Sequence, residues 1–393
     1  MRVVVCGAGI TGLALASCLD AHGVDVVVLE RAAAPREQGY MIDFFGPGYD
    51  AVEAMGVLPR IRELGHDVQE MTYRDERGRV RARLPFARFA ATVGGRFTSI
   101  MRPDLERALR GHVGARVDLR YGVDAVAVDD DGAGVRVGLS DGGSVEADLL
   151  VGADGIHSTV RALVFGPETD VLRPLGYHTA AYVFRDAELH REVRDQFCLT
   201  DTVDRQIGYY GLDDDRVAVF AVHRTAERTR PDDPRAALRR EYGGLGWIVP
   251  RALAACPPGD RVYYDEVAQI DMPAWHRGRV VLAGDAAYAV SLLAGQGASL
   301  GITGAYVLAE CLAADDLDTA LRRYETLLRP VTTEKQRTAR SGARWFLPSS
   351  TTQLRVRRAA LALARLPGVD RFVAGAVAGK SSALVTNLRA AAR

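Results

Sequence analysis

Apolar and polar positions change rhythm several times along the chain, and each rhythm predicts an element. Residues 2–6 (RVVVC) are an unbroken apolar run, as in a strand buried on both faces of a parallel sheet. Thr11 to about His22 places Ala, Leu and Cys on one helical face, Gly23 ends that helix, and 24–29 (VDVVVL) reads as a second buried strand. This βαβ start predicts an α/β fold of the Rossmann-like kind. Residues 35–66, rich in Gly, Pro and aromatics, read as loops with one short helix near 48–56. Pro103 marks the start of a helix over 103–113. Alternation over 116–128 and 134–139, around the acidic turn 129–132, predicts an antiparallel hairpin, and 147–152 (ADLLVG) is a further buried strand.

From about 172 the rhythm becomes that of short strands (177–184, 206–211, 216–223, 262–270) around one helical piece at 234–241. This predicts a separate, mostly antiparallel sheet inserted into the first domain. The buried run 278–285 returns the chain to that domain, and helices are expected over 297–314 and 315–342. The tail from 353 to 393 reads as amphipathic helices packed on the surface. The expected division is a discontinuous domain of 1–171 and 269–345, an inserted sheet of 172–268 and a C-terminal helical segment of 346–393.

Length and composition narrow the class. A chain of 393 residues can bury one large core or two medium ones. Lys+Arg and Asp+Glu both number 50, so no net field attracts nucleic acid or an anionic membrane. The expectation is a cytoplasmic enzyme acting on small molecules, monomeric or homodimeric. No signal peptide is expected, because Met1-Arg2 runs straight into Val3. The apolar stretch 279–314 contains Asp285 and many glycines, so it reads as strand, loop and helix, without stable membrane insertion. The five cysteines are scattered without a CxxC pair, and no His cluster has metal-ligand spacing, so no metal is expected.

Gly7-Ala8-Gly9-Ile10-Thr11-Gly12 fits GxGxxG between the first strand and its helix. Gly7 permits the tight turn, Gly9 lets backbone approach a pyrophosphate, and Gly12 allows close packing of helix on strand. Ile10 and Thr11 open the helix, whose N-terminus offers unpaired N–H groups to phosphate. Glu30 ends the second strand at the spacing of a carboxylate that accepts from a ribose hydroxyl. These residues alone leave FAD and NAD open.

Two further segments bear on that choice. Residues 153–161 (ADGIHSTVR) resemble the DG motif of flavoprotein hydroxylases, and Gly284-Asp285-Ala286-Ala287 with 295–299 (GQGAS) resembles their GD motif. Together with GxGxxG, and in this order, they resemble the single-component FAD-dependent aromatic hydroxylases of the para-hydroxybenzoate hydroxylase type, over roughly residues 1–345. The resemblance implies that Asp154 helps hold the flavin and that Arg161 supports the strand–loop geometry, although Arg161 reads equally as a surface helix residue. It implies that Asp285 accepts from ribitol hydroxyls, with a helix cap as the plainer alternative, and that Gly295, Gly297, Ala298 and Ser299 meet the isoalloxazine edge. Arg102 is implied on the phosphate or ribose side, where a pyrophosphate needs a cation. Arg31 is a helper of the same kind, and Ala125 is carried into the cofactor set. Met41 and Asp43 lie in a stretch that passes near the flavin ring; Asp43 could instead cap the turn at 46–48.

The chain also departs from the family pattern. Tyr288 stands where relatives have His, Leu292 where they have Pro, and Ser299 or Leu300 where they often have Asn. The inserted sheet is expected to floor a substrate cavity, with Tyr182, Tyr210 and His223 among its polar groups and Tyr288 entering from the flavin side. No residue is singled out as the catalytic base. The resemblance implies an FAD enzyme reduced by NADPH or NADH that reacts with O2 to a flavin C4a-hydroperoxide. It would hydroxylate an aromatic or enolic small molecule, such as a polyketide-like phenol. No second GxGxxG follows a strand, so a separate nicotinamide domain is not expected. A flavin-dependent dehydrogenase or reductase on the same fold, and a non-catalytic flavin-binding protein, are the alternatives.

Overall fold

The computed structural model describes residues 1–363 and 384–391. β1 (Arg2–Cys6), α1 (Ile10–Ala21) and β2 (Asp25–Glu30) form the expected opening unit. Val3, Val4, Val5, Val27 and Val28 are fully buried, as unbroken apolar strands between two helical layers must be. The stretch 35–66 is more ordered than its composition suggests. It holds β3 (Met41–Phe45), α2 (Pro47–Met55) and α3 (Leu58–Glu63). β4 (Glu70–Arg74), β5 (Val80–Pro85), α4 (Phe86–Thr92), β6 (Phe97–Met101) and α5 (Arg102–Arg110) follow. β3 is short with Asp43 at its centre, which hides it from a periodicity reading, yet it pairs antiparallel with β6 in the register Met41↔Met101 and Asp43↔Ser99.

The expected hairpin forms between 125–130 and 135–139, but the first part of its span leaves it. β7 (Asp118–Tyr121) joins β2 in parallel, while β8 (Ala125–Asp130), β9 (Val135–Leu139) and β10 (Ser144–Ala147) make a separate antiparallel sheet around the acidic turn. The run 147–152 is likewise split. Asp148 turns out of line to accept the Arg2 N–H at 2.7 Å, so β10 ends there and β11 (Leu149–Gly152) enters the parallel sheet beside β1.

After α6 (Thr159–Val164) come β12 (Leu172–Arg185), α7 (Ala187–Val193), β13 (Gln196–Thr200), β14 (Arg205–Gly211), β15 (Arg216–Arg224), α8 (Pro234–Tyr242), α9 (Val249–Ala254) and β16 (Tyr263–Ile270). Three helices stand where one was expected. Their sheet runs β16-β12-β15-β14-β13-β4-β5, so it recruits two strands from 70–85, outside the 172–268 span. All its pairs are antiparallel except β13–β4. The chain returns through β17 (His276–Arg277), β18 (Val280–Leu282), α10 (Asp285–Tyr288), α11 (Gly297–Ala314) and α12 (Leu317–Phe346). α13 (Thr351–Leu363) and α14 (Leu384–Ala391) account for part of the tail, and 364–383 lie outside the described residues.

The six-stranded sheet, ordered β17-β18-β11-β1-β2-β7 and parallel except for β17–β18, carries the main core on both faces. α11 is long and apolar enough to cross a membrane, but it packs among α1, α2 and α12 and is mostly buried, as the core helix of a two-layered fold. Both glycine-rich turns therefore open on the same edge of the sheet, at the carboxyl ends of β1 and β18, where α/β folds bind ligands.

Candidate functional site

The first turn is held by contacts that only glycine permits. Gly7 has φ +105°, and a Cβ there would lie 2.4 Å from the Ala153 carbonyl oxygen. A Cβ on Gly12 would lie 1.8 Å from the Gly7 oxygen, whereas one on Gly9 meets nothing within 4 Å. The space at Gly9 is what a phosphate needs, and α1 begins there with no side chain capping its N–H groups. Thr11 turns inward. Its Oγ1 fills the hollows left by Gly284 and Gly301, which locks α1 to the second turn. Ile10 is buried beside it. Glu30 accepts from the Ala8 N–H at 2.9 Å and the Ala32 N–H at 2.8 Å, so its carboxylate ties together the loops after β1 and β2. Arg31 is exposed just beyond.

The DG segment is a braced corner. Ser158 Oγ donates to Asp154 at 2.5 Å, the Val160 N–H donates to the same carboxylate at 3.0 Å, and Ser158 caps α6. Burial pushes the Asp154 carboxyl up and the Ser158 bond opposes it. Arg161 is no surface residue. Its guanidinium is buried and donates to Ile156 O (2.6 Å), Ala286 O (3.1 Å) and Glu168 (2.7 Å), joining the DG corner to the GD helix. Burial lowers its pKa, with Glu168 opposing.

In the GD segment, Gly284 has φ +62° and Asp285 opens α10. The Asp285 side chain is exposed, yet protein surrounds it closely enough for burial to push its carboxyl up, with Arg102 opposing. Asp285 is thus open to a ligand while protein lies close around it. Arg102, at the start of α5, pairs with Glu106 at 3.2 Å, and its N–H donates to Tyr40 O. Burial works against its charge, and Glu106, Tyr40, Tyr263 and Asp285 together outweigh that and raise its pKa. Gly295 has φ +62° with open space at its Cβ position, and α11 begins at Gly297-Ala298 without a side-chain cap. The stretch leading into the Leu292 loop is held by two glutamines. Gln269 Nε2 donates to Val290 O (3.0 Å) and Gln336 Nε2 to Ala289 O (3.1 Å), just before Ser291 at φ +86°.

Several expectations need correcting. Ser299 Oγ donates to Phe45 O at 2.8 Å and accepts from the Gly48 N–H at 2.9 Å, so its side chain clasps α11 to α2 instead of facing the cofactor. Ala125 is fully buried and its N–H is taken by Asp124, because β8 packs into the main core. Tyr182 and His223 lie on the face of the seven-stranded sheet covered by α7, α8 and α9. Tyr182 donates to Ala252 O at 2.9 Å, and His223 lies 3.2 Å from the Tyr242 hydroxyl, with burial pushing its imidazole down to about 4. Tyr288 points into the core, where its hydroxyl fills the hollow of Gly304 and its ring packs 4.7 Å from Trp275. Burial pushes its hydroxyl up to about 12.

Tyr210 is on the other face, stacked on Phe197 at 4.0 Å in a cluster with Met41, Tyr73 and Met101. Beside that cluster lie partly exposed aromatic rings that sequence reasoning missed. Tyr40 is 6.4 Å from Phe220 and 5.6 Å from Tyr263, and Phe220 is 6.4 Å from Phe346. The alternation in β15 could have pointed to Phe220; Tyr40 and Phe346 come from a loop and a distant helix.

This geometry, with glycine space at a helix start, an enclosed acid and a second uncapped helix, is fitted to a dinucleotide that carries a polar ring edge. The FAD binding domain model matches residues 1–338. The chain belongs to that family. The FAD-dependent monooxygenase asL6 of Sarocladium schorii is 32% identical over 88% of this chain and 88% of its own length. Among solved structures, Klebsiella pneumoniae HpxO complexed with FAD and uric acid is 25% identical with a TM-score of 0.80, covering 96% of each chain. Tetracycline destructase Tet(55) is also 25% identical with a TM-score of 0.80, covering 95% of this chain and 97% of its own. This chain is an FAD-dependent monooxygenase, with FAD as cofactor.

Proposed function

We propose that the protein hydroxylates a hydroxyl-bearing aromatic or enolic small molecule, polycyclic or polyketide-like, using O2 and a reductant of the NADPH or NADH kind. The observation that carries this reading is the interior aromatic surface of Tyr40, Phe220, Tyr263 and Phe346, partly exposed between β3 and the seven-stranded sheet. Flat rings offer a flat substrate stacking and edge contacts and exclude water from it.

FAD, when bound, supplies electron transfer and oxygen activation. Gly7, Gly9 and Gly12 give its phosphates room, and Glu30 offers an acceptor at the ribose end. Arg102 supplies the cation, and Asp285 the acceptor for polyol hydroxyls. The N-terminus of α11, with Gly297 and Ala298, directs partial positive charge to the ring edge where negative charge gathers on reduction. Asp154, braced by Ser158 and linked through Arg161 to α10, sets the spacing of the two turns. In this reading 1–171 with 269–345 hold the cofactor, the inserted sheet covers the substrate, and α13 packs against β5 at its edge. The balanced charge and the buried α11 support a soluble cytoplasmic enzyme.

The test is anaerobic mixing of the FAD-loaded protein with NADPH or NADH across a panel of phenols. Flavin bleaching that accelerates with one class of phenol supports the reading. Bleaching at one rate whatever phenol is present would favour a reductase.

A further inference from the structure

We propose that the end of α12 and the outer side of α13 form a docking face for an anionic lipid bilayer, on which the protein rests reversibly through Trp345, Val356 and the arginines beside them. The contact is peripheral. Guanidinium groups meet phosphate headgroups, two apolar side chains enter the headgroup boundary, and nothing spans the bilayer.

The equal totals of 50 basic and 50 acidic residues conceal a division along the chain. The first 334 residues hold 38 arginines and 49 acids, whereas 335–393 hold 12 basic residues and one acid, Asp370. Within 335–363, which takes in the end of α12 and all of α13, there are seven cations and no acid. Elsewhere, surface arginines sit beside acids of their own helix, as Arg60 does with Glu63 and Arg107 with Asp104. Here Arg337 and Arg355 are exposed and, among the described residues, have no ion pair, while exposed Arg340 holds only the neutral Gln269, at 2.7 Å.

The acids that approach this face are already matched. Asp201 is held by Arg357 and Arg358, and Asp204, whose N–H donates to Pro348 O, is held by Arg224 at 2.8 Å. Glu334, the last acid before the segment, lies beside Lys335. The face therefore carries positive charge without local compensation. Acids on the rest of the body do not cancel it, because charges in water are screened within about 8 Å at physiological ionic strength and a membrane responds to the near face.

Among the described residues five large apolar side chains stand exposed, and two of them, Trp345 and Val356, lie here at 44% and 57% exposure. Arg357 Nη1 donates to Phe346 O at 2.8 Å, so each of the pair is one residue from the bond that sets α13 beside the end of α12. Phe346 turns inward, 6.4 Å from Phe220, and Trp345 turns out. On α13 the inner positions Leu354, Arg357 and Leu361 are buried, which leaves Arg355, Val356, Ala359 and Ala362 facing outward. A surface helix ordinarily turns its polar side to water. This one shows water an apolar stripe edged by arginine, with a tryptophan next to it, which is the make-up of an interfacial helix. Lipid is favoured over a nucleic acid or an acidic protein because the headgroup boundary is fluid and takes an exposed tryptophan without a matching pocket, which a folded partner must supply.

The experiment is co-flotation of the FAD-loaded protein with phosphatidylcholine vesicles, with and without phosphatidylglycerol, at low and high salt. Vesicles of brominated phosphatidylcholine and phosphatidylglycerol report contact with tryptophan by quenching its fluorescence. Wild type should float with the anionic vesicles alone, be released by high salt, and lose tryptophan fluorescence to the brominated lipid. Arg337→Gln with Arg355→Gln should weaken binding about 25-fold, at about fivefold for each arginine. Trp345→Ser with Val356→Ser should weaken it about tenfold or more. Trp345→Phe should still float but lose the quenching, since Trp275 is buried. All these variants should keep the FAD content and Tm of wild type, because the replaced side chains are exposed. Flotation that is absent, that is equal on phosphatidylcholine alone, or that ignores the arginine pair would overturn the proposal. Binding to polyglutamate or polyuridylate that needs the same arginines, with no quenching by brominated lipid, would assign the face to a soluble polyanion and overturn it too. The salt and quenching results on wild type decide the matter even where a variant fails to fold.

Discussion

Replacing Gly9 by Val should separate cofactor binding from folding. Gly9 has φ −82° and ψ −172°, an extended conformation that Val adopts readily, and nothing lies within 4 Å of its Cβ position. The FAD-free protein should therefore keep its stability to within about 1 kcal/mol. With FAD present, the new side chain occupies the space assigned to the pyrophosphate. Losing two hydrogen bonds from N–H groups to charged phosphate, at about 1.5–3 kcal/mol each, amounts to roughly 3–6 kcal/mol. That is about 10²–10⁴-fold in affinity. Gly12→Ala is the opposite case. Its Cβ would lie 1.8 Å from the Gly7 carbonyl oxygen, a backbone atom that cannot yield without opening the turn. Overpacking of this kind costs about 1–3 kcal/mol, or roughly 1–4 °C in Tm for a chain of this length. Calorimetry of the FAD-free proteins and fluorescence titration with FAD read the two effects separately. A Gly9→Val variant with wild-type FAD affinity, or one that unfolds before Gly12→Ala, would refute the reasoning.

Three further outcomes follow from particular contacts. Asp201→Asn leaves Arg357, fully buried at the junction of α13 and the sheet, without its counter-charge; the expected loss is about 3–5 kcal/mol, read by denaturant unfolding. His157 is raised to about 9 by its bond to Asp265, with burial opposing and Glu168 adding. Its folded value exceeds its ordinary 6.5, so its stabilisation is complete below about 6.5 and lost as pH rises through about 9. Tm against pH should fall less over that window in His157→Gln; parallel curves would count against the network. Asp43 is raised to about 6 from 3.8, so its stabilising contribution belongs to the protonated form and is lost as pH rises through about 6. Asp43→Asn should then melt higher than wild type at pH 8 and no higher at pH 3.5, as scanning calorimetry would reveal.

The parts of this fold that were legible are those written in consecutive residues. The run 2–6, the glycines at 7, 9 and 12, and Asp285 after its buried strand each carry their geometry locally, and α11 spans 297–314 as its pattern implies. What was hidden depends on long-range partners. Alternation in β12 and β15 gives two faces but does not reveal that α7, α8 and α9 cover the one bearing Tyr182 and His223. Pairing of β4 with β13 joins residues 70–74 to 196–200, and no local signal announces it. Ser299 is a polar residue at a helix start, where cofactor contact and a clasp on Phe45 and Gly48 look alike in sequence. Arg161 reads equally as a support of the strand–loop geometry and as a surface residue until Ala286, Ile156 and Glu168 are placed around it. Tyr288 differs for a steric reason, since Gly304, on another helix, makes the hollow that draws its hydroxyl inward.

The most direct test of the central claim is the fate of molecular oxygen. The FAD-loaded protein is supplied with NADPH and the phenol that most accelerates flavin reduction, under ¹⁸O2 in ordinary water, and the product is weighed by mass spectrometry. A monooxygenase places one ¹⁸O atom in each hydroxylated product molecule. A product carrying only solvent oxygen, or NADPH consumed with hydrogen peroxide as the sole oxygen-derived product, would contradict the account.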